Sequence, residues 1–213
     1  MQSQERLRRR PIKIVAFVDW NSQVFAAKRS RSEEPTVQRI LEHVLRSIKN
    51  SLANFISDFR FEVHLRLYGG WHKGFEPMPQ RRELARVTDD FLYGIYVHPN
   101  IVIRGLEYGD TALGALERRK VMSTNSHFPA TCRDYGQGKL GEKMVDTALV
   151  SDLIYCSVNG EDDSWLTVVG EDIDLMPGVY TAEGFLRSSR RKIAYLRSRK
   201  DNYLNCADIY KFN

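Results

Sequence analysis

IKIVAFVDWN, residues 12–21, decides the fold. Its first seven residues are short, apolar and rich in β-branched side chains, the composition of a strand buried on both faces. The run stops at Asp19-Trp20-Asn21, so a carboxylate follows directly on a buried strand. Outward from it, four more runs read as strands: FEVHLRLY at 61–68, closed by Gly69-Gly70, then IVIRGL at 101–106, WLTVVG at 165–170 and KIAYLR at 192–197. Helical spacing fills the intervals. From Pro35-Thr36 to about Phe59, the residues Val37, Ile40, Leu41, Val44, Leu45, Ile48, Leu52, Phe55 and Ile56 make one apolar stripe. Residues 79–93 and 142–158 are helical in pattern, and a further helix starts near Asp174 and runs past Phe185. Strand and helix in alternation predict an α/β fold with a central parallel sheet and helices on both faces. Residues 1–11 read as a basic arm and 12–213 as one domain, with the polar, aperiodic stretch 107–141 as a long loop or insertion.

The bulk numbers narrow the class. The chain has 213 residues, with 42% hydrophobic and 28% charged, as in ordinary globular proteins. No apolar run is long enough for a membrane helix, so no membrane partner is expected. Cys132, Cys156 and Cys206 are too far apart for a disulfide framework or a structural zinc site, which makes the cytoplasm the default compartment. The net charge of +5 permits nucleic acid as a partner without demanding it. Basic residues cluster at 6–10, 28–31, 81–82, 118–120, 187–192 and 197–200.

The chemistry lies in the acids. In open parallel sheets, sites form beyond the carboxyl ends of the strands, where strand order reverses. Asp19 follows the first strand, and Asp172 and Asp174 follow the fourth. If those strands are neighbours the three converge, and Asp146, early in the preceding helix, joins them. Several carboxylates in one pocket stay ionised only beside a cation. Their hard oxygens select Mg²⁺ or Mn²⁺, whose bound water is a nucleophile for phosphodiester hydrolysis. Each aspartate taken singly is equally a turn residue or helix cap.

Four segments carry a resemblance. VAFVDWN at 15–21 is similar to the opening of the NYN family, a strand followed by Asp-x-Asn. KMVDTALVSDL at 143–153 resembles its Lys-Gly-x-Asp helix, with a second Asp six residues on. VVGEDIDLMP at 168–177 resembles its Ser-Gly-Asp-Ser-Asp-Phe-x-Pro segment, and LNCAD at 204–208 its close. The resemblance implies a three-layer PIN-like (Rossmannoid) fold with strand order 3-2-1-4-5. It implies a Mg²⁺- or Mn²⁺-dependent ribonuclease that leaves 5′-phosphate and 3′-hydroxyl ends, with Asp19, Asp146, Asp172 and Asp174 as metal-site acids and Asn21 supporting Asp19. Asp152 matches the recurring helix Asp, but lies about 120° around the helix from Asp146 and reads as supporting or structural. Two residues depart from the pattern: Met144 stands where the family usually has Gly, and Glu171 replaces the Gly before Asp172, adding a further carboxylate.

RNA, single-stranded by preference, is the expected partner, and a homodimer is compatible with the sequence. Arg187, Arg190, Arg191 and Lys192, which follow the helix after Asp174, are the first candidates to hold phosphates, with Lys139 and Lys143 before Asp146. Trp20 and Trp71 are candidates for stacking on bases, whereas Phe75 reads rather as closing a loop. Two other readings fit the same acids: a haloacid-dehalogenase-like phosphatase, against which Asn21 stands where a second Asp is needed, and an RNA-binding module without turnover.

Overall fold

The computed structural model describes residues 10–28, 34–88, 94–115, 131–137, 140–186 and 190–197. Strand β1 (Ile12–Asp19) lies inside a six-stranded sheet. It is flanked in parallel by β2 (Phe61–Tyr68), register Ile12 to Phe61, and by β9 (Trp165–Val169), register Ile14 to Trp165. β6 (Ile101–Tyr108) continues the parallel pairing beyond β2, and β10 (Ile193–Leu196) beyond β9. One edge is an antiparallel strand, β5 (Ile95–His98), giving the order β10-β9-β1-β2-β6-β5. β5 was not anticipated: it is four residues long and half exposed, and it exists because the turn at Pro99-Asn100 folds it onto β6.

Each face of the sheet is covered by helices. Ile14, Ala16 and Val18 of β1 and Val63, Leu65 and Leu67 of β2 point into one core. It is closed by α1 (Trp20–Lys28), α2 (Val37–Ser51) and α3 (Pro79–Thr88). Phe17, Leu166, Val168 and Tyr195 point to the other face, under α4 (Val145–Asn159) and α5 (Met176–Leu186). α2 starts at the Thr36 cap, whose side chain accepts from the Arg39 N–H, and ends at Ser51, short of the expected Phe59. α1 was not visible in sequence. Its buried positions are Trp20, Gln23 and Ala27, and the polar Gln23 interrupts the apolar stripe.

The stretch 107–141 is not uniformly irregular. It begins inside β6, turns through a 3-10 segment at Leu113–Ala115, and enters a hairpin of β7 (Cys132–Asp134) and β8 (Leu140–Glu142). A second small hairpin, β3 (His72–Lys73) with β4 (Glu76–Pro77), follows β2. Residues 1–9 of the expected arm at 1–11, Lys139, Arg187 and the LNCAD segment lie outside the described residues. No described helix is long and apolar enough to cross a membrane.

Candidate active site

Because β1 and β9 are parallel neighbours, Asp19 and Gly170 leave the sheet side by side. A Cβ built on Gly170 would sit 3.4 Å from the Cβ of Asp19. Asp19 is buried, and its Oδ1 accepts the Ser22 N–H at 3.2 Å, so the same residue caps α1. The Ser22 hydroxyl donates to the Asp19 carbonyl and accepts the Glu171 N–H at 3.2 Å, which ties the β9 loop to the end of β1. In that loop Asp172 accepts the Asp174 N–H at 2.9 Å, and its carbonyl accepts the Tyr195 hydroxyl. Asp146 stands exposed in the first turn of α4.

These acids feel one another. Burial pushes Asp19 up to about 6, with Asp146 and Asp172 pushing the same way against the Ser22 hydrogen bonds. Asp146 is raised by partial desolvation and then by Asp172 and Asp174. The expected aspartates are therefore brought to one end of the sheet and share a field.

Glu142 is a further acid of this group that sequence reasoning missed. It projects from β8, and its Oε1 accepts the Gly70 N–H at 2.7 Å just past β2. Asn21 hydrogen-bonds to it as well, so in this structure Asn21 holds Glu142 while Ser22 holds Asp19. Burial lifts Glu142 to about 7, helped by the charges of Asp19 and Asp146. Its position depends on a hairpin that no periodicity announces, and sequence reading had placed it at the start of a helix.

Met144 occupies the helix cap with φ 63° and ψ 3°, the left-handed region. A side chain in that region costs about 1 kcal/mol, so the backbone carries strain where α4 begins.

Several expected contacts are corrected. Trp20 and Trp71 are each 1% exposed, with ring centroids 6.2 Å apart, so neither offers a face to a base. They close the core beneath the site, and Trp71 donates its indole N–H to the Leu67 carbonyl. Arg190, Arg191 and Lys192 precede β10, so they sit at the amino ends of the strands, the far end of the sheet from the acids. Arg191 is buried and donates to the carbonyls of Cys156, Ser157 and Ser164, closing the end of α4. Lys192 lies over Trp165 and Phe55, at 5.6 and 5.7 Å. Asp152 is 1% exposed and serves the core. It accepts from Arg66 at 3.0 Å, Tyr68 at 2.8 Å and the Leu113 N–H at 2.7 Å.

A cation does flank the acids: Arg197, directly after β10, donates Nη2 to the Glu171 carbonyl at 2.9 Å. Lys143 is exposed before α4, its N–H bonded to Thr131.

Among the described residues, no group of three or more His, Cys, Asp or Glu is arranged tightly enough to hold a metal ion as it stands. The carboxylates are in electrostatic reach of each other but not closed on one point. Their chemistry nonetheless suits a hard divalent cation, because every donor is an oxygen; burial is the main cause of the raised proton affinity of Asp19 and Glu142, and the neighbouring acids add to it, a contribution that a cation would offset. Exposed Asp146 and Asp174 make no side-chain hydrogen bond or ion pair among the described residues.

No family model, curated protein or solved structure matches the chain. What stands is an α/β protein with a mostly parallel sheet and a carboxylate cluster at the carboxyl ends of its strands.

Proposed function

We propose that the protein is a metal-dependent ribonuclease of PIN-like architecture, which hydrolyses phosphodiester bonds at the cluster formed by Asp19, Asp146, Asp172 and Asp174. The observation that carries this reading is the mutual electrostatic coupling of acids from three separate elements beside the ends of β1 and β9. Numbering the parallel strands along the chain gives the sheet order 3-2-1-4-5, which agrees with the architecture that the NYN resemblance implies.

Asp19, Asp146, Asp172 and Asp174 would hold Mg²⁺ or Mn²⁺. Bound there, the ion supplies an activated water and neutralises charge on the phosphoryl oxygens. Ser22 fixes Asp19 and the Glu171 backbone together, and Tyr195 pins the carbonyl of Asp172, so the two strand ends keep one spacing. Glu142, held by Gly70 and Asn21, adds a further carboxyl group on the β2 side. Arg197 and Lys143 offset repulsion of an incoming phosphate.

The test is cleavage of end-labelled single-stranded RNA with Mn²⁺ or Mg²⁺, with chelator, and with Asp172→Asn. Cleavage is expected with metal only, and the variant is expected to lose at least about a hundredfold in rate while binding RNA nearly as before. Cleavage that survives chelator, or wild-type rates in Asp172→Asn, overturns the assignment.

A further inference from the structure

The two small hairpins beside the carboxylates present aromatic rings to solvent. Tyr135, just after β7, is 63% exposed, and Phe75, in the turn between β3 and β4, is 62% exposed. The Tyr135 ring lies against the backbone of Gly141: a Cβ there would meet the ring at 2.6 Å. The ring is thus laid on the hairpin with a face left open, and the Arg133 guanidinium stands 6.0 Å from its centroid.

Pairing within the ribbon sets the geometry. Cys132 pairs with Glu142 and Arg133 with Gly141, so Glu142 faces Gly70 while Arg133 and the Tyr135 ring take the opposite face. Only the thickness of a two-stranded ribbon separates that face from the acids. The hairpins are fixed to each other by the His72 N–H on Thr131 Oγ1 at 2.8 Å and by the Lys73–Asp134 ion pair at 3.1 Å. Arg133 has no ion pair among the described residues, and Lys143 follows the ribbon with its side chain exposed.

We propose that this paired-hairpin surface binds an unpaired polynucleotide strand. Tyr135 is the principal base-stacking platform, Phe75 the second, and Arg133 and Lys143 are the phosphate contacts. The inference deepens the nuclease reading and rests on it for the identity of the scissile strand. Stacking needs a base with a free face, which a duplex withholds, and a cation beside an open ring suits a base with its phosphate. The surface replaces the buried Trp20 and Trp71 as the place where bases rest.

Fluorescence anisotropy tests it, using a labelled single-stranded RNA and the same sequence as a duplex, in chelator so that neither turnover nor metal contributes. Tyr135→Ala is expected to weaken single-strand binding about tenfold, and Tyr135→Trp to retain it. Gly141→Ala, which pushes the ring away, is expected to reproduce the loss. Unchanged single-strand affinity in Tyr135→Ala, or equal loss for strand and duplex, overturns the proposal. A protein that binds through these rings but cuts no RNA leaves the surface standing and removes the nuclease reading instead.

Discussion

Asp19 is a carboxyl group that folding makes hard to ionise. Its value rises from 3.8 to about 6, and that of Glu142 from 4.5 to about 7, with burial as the first cause for both. The folded state therefore binds these protons more tightly than the unfolded chain does. Below about pH 4 both states hold them and nothing is lost. As pH climbs toward 7 the folded chain gives up protons it holds better, and stability falls, by about 3 kcal/mol for Asp19 alone. In chelator, Asp19→Asn is expected to gain melting temperature relative to wild type between about pH 4.5 and about pH 7.5. A difference between the two proteins that does not change with pH contradicts this account. Asp19 itself was legible in sequence because it ends a buried strand. Glu142 was not, because its neighbours come from a hairpin built of exposed residues.

At the scale of elements, the misplaced arginines show how topology overrules proximity in sequence. α5 follows Asp174 and carries the chain about 16 Å back along the sheet before β10 can start parallel to β9. The basic run before β10 is forced to the amino ends of the strands, whereas Arg197, after β10, returns to the acids. That conclusion was available from the parallel pattern already read in the sequence. Arg191 instead finishes α4: its guanidinium takes two carbonyls of the last turn and that of Ser164, and Gly160 leaves room for it because any Cβ there would collide with Arg191 Nη2. Arg191→Ala is expected to cost about 3 kcal/mol in urea denaturation, through unpaired buried carbonyls, and to leave RNA affinity unchanged. A stable variant with weakened RNA binding would return Arg191 to the binding surface.

Over the whole molecule, the five parallel strands were legible because each carries a short run or alternation of apolar residues: β9 and β10 are buried throughout and β1 nearly so, whereas β2 and β6 include exposed His64 and Arg104. The β3–β4 and β7–β8 hairpins, the edge strand β5 and helix α1 were not, because they are short or interrupted by polar residues and depend on pairing with distant parts of the chain. Those unannounced elements shape the site, since one of them contributes Glu142. They leave the acids electrostatically coupled but not gathered on one point. The most direct measurement is the anomalous scattering of Mn²⁺ in crystals of the protein. The expected result is a peak at bonding distance from carboxylate oxygens of Asp19, Asp146 and Asp172. A peak elsewhere, or saturating Mn²⁺ with none at these residues, contradicts the claim that the three acids share an ion.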